Sequence, residues 1–221
     1  MLRSLSLPTD TEALLTIVHV DGRVVVADKP AGLLCVPGRG PDRADCLASR
    51  VQALWPDALV VHRLDMATSG LVVFGRGAAM QRALSIAFAD RRVHKRYVAV
   101  VAGLVGDDTG EINLPLAADW PNRPRQQVDP TAGKPSLTRW QVLARDRAQG
   151  TTRLALTPVT GRTHQLRVHL AAIGHAVVGD ALYAPLCWAQ AAPRLLLHAS
   201  ELGLPAWAGT PALALSSPTP F

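Results

Sequence analysis

The chain has 221 residues, 48% of them hydrophobic and 18% charged, a composition that fits a globular protein with a buried interior and excludes a disordered chain or a coiled coil. Lys and Arg number 23 against 17 acidic residues, and the formal charge of +6 favours a polyanionic partner such as nucleic acid. The 3 cysteines lack CxxC spacing, and no apolar run reaches the roughly 18 residues that span a bilayer, so we expect a cytoplasmic protein without disulfides or membrane segments.

Two β-branched runs are the first predicted elements. They lie within residues 13–28 and flank an Asp-Gly pair at 21–22, which strongly favours a hairpin turn. Apolar residues recur at helical spacing over 44–55, so a helix is expected there, with Asp42 or Asp45 as its N-cap.

The rest of the chain alternates between strand-like and helix-like patterns. Helices are expected over 77–90 and over 163–173, the second one capped by Thr163 and stopped by Gly174. Strands are expected at 59–61, 71–74, 97–104, 112–116, 137–143, 152–159, 195–204 and 212–215. Because strands dominate without regular βαβ alternation, we predict an α+β fold on a largely antiparallel sheet, with residues 1–221 forming a single domain.

The stretch His-Arg-Leu-Asp-Met-Ala-Thr-Ser-Gly at 62–70 joins two short apolar strands. Loops held by rigid neighbours are where reactive groups tend to lie. Asp65 is the only carboxylate in the loop, so it is the candidate nucleophile or base. The alternative is a tight turn in which Asp65 accepts backbone N–H groups and pairs with Arg63.

A second stretch, Gly-Arg-Thr-His-Gln-Leu-Arg-Val-His-Leu at 161–170, begins the last predicted long helix. Its first turns carry His164, Gln165 and Arg167, and a basic helix N-terminus binds anions, either a phosphate or a carboxylate such as Asp65. The alternative is an amphipathic helix whose polar face is merely solvated.

The third stretch, Arg-Arg-Val-His-Lys-Arg-Tyr at 91–97, is a dense group of basic residues leading into a strand. Such a group can neutralise RNA phosphates, although a solvated strand entry explains it equally well. Tyr97 is either a core residue or an aromatic platform for a base.

Other chemistries find no support in the motifs. The 7 histidines form no HExxH or comparable ligand spacing, and neither GxSxG nor a phosphate-binding loop occurs. We therefore expect neither a metal nor a cofactor.

Five segments together carry a resemblance to a known family. They are VVVADKPAGLLCVPG, HRLDMATSGLVVF, KRYVAVV, GRTHQLRVHLAAIGHAVVGD and PRLLLHA, and they extend from residue 24 to residue 199. In combination they resemble the RluA-type RNA pseudouridine synthases, and the WPNRP and GKP segments are similar to the compact members with dual tRNA and ribosomal RNA specificity. About two dozen residues precede the first segment, so an N-terminal S4 domain is not expected.

The resemblance implies a fold and a set of partners. The expected fold is that of the pseudouridine synthases, a largely antiparallel mixed sheet with flanking helices and a central catalytic cleft. The expected substrates are structured RNAs, namely the anticodon stem-loop of tRNA and hairpins of large-subunit ribosomal RNA. A cofactor-free, cytoplasmic monomer is expected to act on them.

The resemblance also implies roles for individual residues. Asp65 would be the catalytic aspartate, Tyr97 would stack on the target base, and Arg167 would pair with Asp65. Arg63 would fill the space vacated by the flipped nucleotide. The remaining residues expected to contact RNA or the base are His62, Arg96, Arg162, His164, Leu166 and Leu197.

Two other functions stay open at this point. A nucleoside N-glycosidase also breaks a C1′–N bond with a carboxylate, but it would release free base. A non-catalytic RNA-binding domain could use the same positive surface and would not need Asp65.

Overall fold

The computed structural model describes residues 15–38, 40, 43–207 and 211–221. The strands are β1 (Thr16–Val20), β2 (Val24–Lys29), β3 (Ala58–Val60), β4 (Ser69–Arg76), β5 (His94–Ala102), β6 (Thr109–Asn113), β7 (Leu116–Ala118), β8 (Gln126–Val128), β9 (Leu137–Asp146), β10 (Thr151–Pro158), β11 (Leu197–Leu204) and β12 (Leu213–Ser216). The helices are α1 (Leu47–Leu54), α2 (Gly77–Ala89), α3 (Gln165–Ala172) and α4 (Leu186–Ala189). No helix within these described ranges is long and apolar enough to cross a membrane.

One 10-stranded sheet organises the fold, in the order β1-β2-β4-β11-β5-β10-β9-β6, with β12 added to β11 and β3 added to β4. The pairing of β11 with β4 is parallel, whereas the neighbouring pairs of this sheet are antiparallel. Strands β7 and β8 form a separate two-stranded hairpin. The predicted α+β class with a largely antiparallel mixed sheet is therefore confirmed.

The first hairpin forms where the sequence predicts it. Strands β1 and β2 pair antiparallel, and the Asp21 carboxylate accepts the backbone N–H groups of Arg23 and Val24 at 2.7 and 2.8 Å. This Asx turn reverses the chain and shows why the aspartate, as well as the glycine, favours the hairpin.

Helices cover both faces of the sheet. In β2, Val25 packs on the α1 side, whereas Val24 and Val26 pack on the α2 side. Such alternation follows from the two-residue period of a strand, and burial on both faces explains why the sequence here is continuously apolar. Helix α3 covers the β5–β10 region, where Leu166 and Leu170 join the core.

Glycine is required where β4 meets β11. Gly70 has a φ of 114°, and a Cβ at this position would collide with the backbone of Ala199. The close approach lets Ser69 pair with His198 and Gly70 with Ala199. It thereby fixes the end of the 62–70 loop against the middle of the sheet.

The predicted cap of α1 is wrong. Cys46 is the N-cap, since its Sγ accepts the Ser49 N–H at 3.3 Å while the Ser49 hydroxyl accepts the Cys46 N–H at 3.1 Å. Asp45 instead forms a surface ion pair with Arg50 at 2.7 Å, and Asp42 lies outside the described residues. The reciprocal pair satisfies two helix-end donors, so no carboxylate is needed.

The predicted cap of α3 is also wrong. The helix begins at Gln165, and the preceding residue, His164, has a left-handed φ of 53°. The N-cap residue His164 makes no side-chain capping bond, and Gln165 Oε1 instead accepts the Arg162 N–H at 3.0 Å and the Thr160 hydroxyl at 2.7 Å, which ties the preceding loop to the helix. The helix ends at Ala172 before Gly174, as predicted.

Candidate active site

A cleft of about 760 Å³ opens where the three motif segments converge. Its walls come from the 62–70 loop, from the end of α2 with the start of β5, and from the 157–167 segment. Of the site residues expected from the sequence, those that line it are His62, Arg63, Asp65, Tyr97, Arg162, His164, Leu166, Arg167 and Leu197.

Arg96 is the expected site residue that does not line the cleft. Successive residues of β5 point to opposite faces, so Lys95 and Tyr97 face the cleft while the Arg96 guanidinium lies 3.4 Å from the Glu201 carboxylate. Strand alternation thus places Lys95 in the position that the sequence interpretation gave to Arg96.

The Asp65 carboxylate lies in the cleft with its side chain 24% exposed. Its Oδ2 lies 3.4 Å from Arg167 Nη1 and 3.8 Å from His164 Nε2. Within the described ranges, no backbone N–H and no Arg63 nitrogen donates to this carboxylate, and Oδ1 accepts no hydrogen bond. The alternative in which Asp65 accepts backbone N–H groups and pairs with Arg63 is therefore wrong, although the chain does turn here, with the Thr68 N–H donating to the Asp65 carbonyl at 3.1 Å.

Arg167 is held mainly by a residue that the sequence interpretation missed. Its Nε and Nη2 donate to the two carboxylate oxygens of Asp180 at 2.8 and 2.7 Å, and both side chains are almost fully buried. Burial alone would lower the pKa of Arg167, but the hydrogen bonds and charge of Asp180, together with the charge of Asp65, raise it. Asp180 therefore keeps the guanidinium ionised and turns its third nitrogen toward Asp65.

The polar face of α3 is buried and not solvated. Gln165 and His169 are 4% and 0% exposed. The Gln165 amide donates to the Leu137 carbonyl and the Thr138 hydroxyl, both at 3.0 Å, and His169 bonds Thr138 at 3.0 Å and the Leu114 carbonyl at 2.9 Å. These bonds fix α3 against the sheet, which makes the position of Arg167 rigid.

Lys29 supports the 62–70 loop through buried contacts, a role that the sequence analysis did not assign to it. Its side chain is fully buried, and Nζ donates to the carbonyls of Pro30 and Leu33 at 2.8 Å and of Met66 at 3.0 Å. Burial lowers the pKa of Lys29 to about 8. The ammonium group thus fixes the backbone at Met66, one residue after Asp65.

A hydrogen-bond chain fixes the other end of that loop. Arg194 Nη2 donates to the Ser69 hydroxyl at 2.5 Å, and Ser69 bonds His198 Nδ1 at 2.8 Å. His198 Nε2 bonds the Ser217 hydroxyl at 3.0 Å, and Ser217 donates to the Asp28 carboxylate. Each hydroxyl and the imidazole accept one bond and donate one, so the network is satisfied and the loop is anchored at both ends.

The inner wall of the cleft is apolar. Tyr97 is half-buried and packs against both the α1-side core and the α3-side core. Leu166 and Leu197, 7% and 3% exposed, line the cleft with it. Burial, together with the charge of Asp65, raises the pKa of Tyr97, so the phenol keeps its proton at neutral pH.

His62 is part of the wall of the cleft, and its imidazole is uncharged at neutral pH. Its ring stacks on Phe88 with 4.5 Å between centroids, and its Nε2 accepts the Val73 N–H at 3.1 Å. Burial, together with the charge of Lys95, lowers the pKa of His62 to about 3. The imidazole is therefore neutral and acts as a packed acceptor.

Basic side chains surround the mouth of the cleft. They are Arg63, Arg91, Arg92, Lys95 and Arg162. Burial lowers the pKa of Lys95, and Arg92 lies 3.4 Å from the exposed carboxylate of Asp90. A basic rim above an apolar wall and one accessible carboxylate suits a polyanion from which a single base is inserted.

Known proteins are similar to this chain in sequence. A family model described as RNA pseudouridylate synthase matches residues 23–172. The "Dual-specificity RNA pseudouridine synthase RluA" of Vibrio cholerae is 48% identical over 188 residues, which cover 85% of this chain and 76% of the relative. The protein of the same description from Escherichia coli K12 is 46% identical and covers 86% of this chain and 87% of its own.

A solved structure agrees with the sequence relatives. "Human RNA Pseudouridylate Synthase Domain Containing 1" superposes with a TM-score of 0.80 at 27% identity, over 97% of this chain and 87% of the human chain. The chain therefore belongs to the RNA pseudouridylate synthase family. It is an isomerase that makes pseudouridine in RNA.

Proposed function

We propose that this enzyme isomerises specific uridines in stem-loops of tRNA and of large-subunit ribosomal RNA, with Asp65 as its catalytic carboxylate. The observation that carries the proposal is the Asp65 carboxylate itself, which is held on Oδ2 by Arg167 and open on Oδ1 in a basic-rimmed cleft. The relatives at 46–48% identity are described as dual-specificity RNA pseudouridine synthases, which supports an enzyme that acts on more than one RNA.

The chemistry needs an ionised carboxylate and a closed apolar wall. The N1–C1′ bond of uridine must break, the uracil must turn, and C5 must join C1′ with loss of the C5 proton. Asp65 can attack C1′, add to the pyrimidine ring or remove a sugar proton, and each route starts from the free oxygen. Throughout the reaction the detached uracil has to stay in place, which Tyr97, Leu166 and Leu197 would secure by excluding water.

Binding requires that the uridine leave its RNA stack. Flipping costs a few kcal/mol, and phosphate contacts from the basic rim would offset it. Arg63 is exposed beside Asp65 and would occupy the vacated space in the RNA. Sequence-specific recognition of RNA usually targets loops, which fits a stem-loop substrate.

We further propose that the enzyme is a cytoplasmic monomer with a single catalytic domain. The compartment is supported by Cys35, Cys46 and Cys187, which are all free thiols. Free thiols are typical of a reducing compartment.

Tritium release from stem-loops labelled at uridine C5 tests the proposal. Wild type should release tritium from an anticodon stem-loop and from a ribosomal RNA hairpin without freeing uracil. Asp65→Asn should bind both RNAs but release no tritium. Asp107→Asn, an exposed carboxylate away from the cleft, is the matched control and should behave as wild type.

Three outcomes would contradict the proposal. Tritium release by Asp65→Asn would remove this residue from the chemistry. Free uracil in the products would indicate an N-glycosidase. Binding of both RNAs without release from either would leave the two proposed RNA classes without support.

A further inference from the structure

Tyr183 connects the β7–β8 hairpin with the active-site residues. It is half-buried, and its hydroxyl oxygen lies 2.6 Å from His164 Nδ1 and 2.8 Å from the backbone nitrogen of Gln126. Gln126 is the first residue of β8, whereas His164 lines the cleft and faces Asp65. One phenol thus contacts both a peripheral hairpin and the catalytic cleft.

The hydrogen-bond directions in this contact follow from the chemistry of the groups. A backbone N–H can only donate, so the Tyr183 oxygen accepts from Gln126. Burial raises the pKa of Tyr183, so the phenol keeps its proton, and His164 Nδ1 is the acceptor for it among the described residues. Burial lowers the pKa of His164, against the charge of Asp65, so the ring is neutral.

A neutral imidazole that accepts on Nδ1 carries its proton on Nε2. That nitrogen lies 3.8 Å from Asp65 Oδ2. The network therefore directs an N–H of His164 toward the same oxygen that faces Arg167. The opposite tautomer would place a lone pair against the carboxylate and would leave the Tyr183 proton without its acceptor.

The Tyr183 ring and backbone support Arg167 as well. The Arg167 and Arg125 guanidinium carbons lie 5.0 and 5.4 Å from the ring centroid, within cation–π range. The Asp180 carboxylate that binds Arg167 also accepts the Tyr183 N–H at 3.2 Å. The two side chains near Asp65 Oδ2, His164 and Arg167, therefore both contact Tyr183.

We propose that Tyr183 is a positioning residue, which fixes the His164 proton on Nε2 and makes the orientation of the Asp65 partners depend on the hairpin. The inference rests on the proposed role of Asp65. The hairpin is suited to sense RNA, since Trp120 is 68% exposed with the Arg123 guanidinium 3.4 Å above its ring. A nucleotide bound at the hairpin would influence the cleft through the contacts of Arg125 and Gln126 with Tyr183.

Tyr183→Phe tests the proposal because it removes the hydroxyl and keeps the ring. We expect kcat to fall roughly tenfold, the effect of losing one positioning hydrogen bond, while Kd and KM for the stem-loop stay unchanged. The control is Thr152→Val, which removes a buried hydroxyl bonded to Val105 N and Gly103 O outside the cleft. It should lower the unfolding temperature without changing kcat.

The tautomer provides a readout that does not depend on activity. Nitrogen NMR of histidine-labelled wild type should show His164 protonated on Nε2 and accepting on Nδ1, and Tyr183→Phe should show a tautomer mixture. An Nδ1-protonated His164 in wild type would overturn the inference even in a fully active enzyme. If the proposed role of Asp65 fails instead, the spectra still report on the network.

A second variant protects the test against misfolding. Arg125→Met removes an exposed side chain from the Tyr183 ring and should lower kcat at saturating RNA with a smaller effect than Tyr183→Phe. An unchanged kcat in both variants would overturn the positioning role.

Discussion

The Asp65 carboxylate is contacted by only one nitrogen of the arginine beside it. Arg167 Nη1 is 3.4 Å away, a longer contact than the two bonds that Arg167 makes with Asp180. Asp180 therefore binds two nitrogens of the guanidinium, and only the third nitrogen contacts Asp65. Because the anchoring pair is buried and the Asp65 contact is not, the two aspartates should respond differently to mutation.

Asp180→Asn should lower the free energy of unfolding by about 3 kcal/mol, because it leaves the buried Arg167 charge without its partner. Urea denaturation of both proteins measures the difference. The control is Asp90→Asn, whose exposed pair with Arg92 should change stability by less than about 1 kcal/mol. Equal losses for the two variants would contradict the anchoring role of Asp180.

Lys29 gives a pH-dependent prediction. Its pKa is about 8 in the folded protein and 10.5 in the unfolded chain, so between these values the unfolded state binds more protons and stability rises with pH. Below pH 8 the buried charge of Lys29 lowers the free energy of unfolding by up to about 3 kcal/mol. This destabilisation disappears as the pH rises from 8 to 10.5.

Comparing wild type with Lys29→Met isolates this effect, because the titration of all other groups cancels in the difference. We expect the stability of wild type relative to the variant to increase between pH 7.5 and pH 10, measured by urea denaturation at each pH. A difference independent of pH would show that Lys29 titrates equally in both states.

At the level of elements, the helices and strands were predictable where one local pattern decides them. Helix α2 follows from its apolar spacing, and the first hairpin from Asp21 and the following glycine. The caps of α1 and α3 were not, because a cysteine sulfur caps α1 and the left-handed His164 begins α3 without a side-chain cap. The usual N-cap residues Ser, Thr, Asp and Asn therefore do not mark either helix start.

The candidate site was predictable as a set of motifs but not as a network. Asp65, Tyr97 and Arg167 stand in recognisable segments, and the structure brings them into one cleft. Asp180 and Lys29 stand in two of the same segments, but they act through buried contacts, and no local pattern shows that the partner of Asp180 is Arg167 or that Lys29 binds backbone carbonyls.

The junction of β4 and β11 is sensitive to the addition of a single methyl group. Gly70→Ala should destabilise the protein by at least about 2 kcal/mol, because φ is 114° and the Cβ collides with the Ala199 backbone. Thermal unfolding measures the loss. Gly106→Ala, with open space around its Cβ and no positive φ, is the control. A Gly70→Ala protein as stable as the control would contradict the close approach.

At the level of the whole molecule, charge is concentrated where a polyanion would dock. The formal charge of +6 is modest, but five basic side chains surround one cleft. Long-range attraction would bring RNA to this face, while the apolar wall selects a single base. Affinity and catalysis should therefore respond to separate substitutions.

Arg92→Ala should weaken stem-loop binding and reduce the slope of log Kd against log salt concentration by about 0.7–0.9 if it neutralises one phosphate. Fluorescence anisotropy at several salt concentrations gives the slope. Arg147→Ala, an exposed arginine in the β9–β10 turn, is the control and should leave the slope unchanged. Equal salt slopes for Arg92→Ala and wild type would show that Arg92 does not contact an RNA phosphate.

The parallel junction of β4 and β11 also sets an order of events during synthesis. Residues 69–70 pair with residues 198–199, so the loop that carries Asp65 gains this part of its support only after residues 198–199 have left the ribosome. Contacts this distant in sequence form late in folding. Completion of the 62–70 loop is therefore a late, long-range step of folding that must await the pairing of β11 with β4.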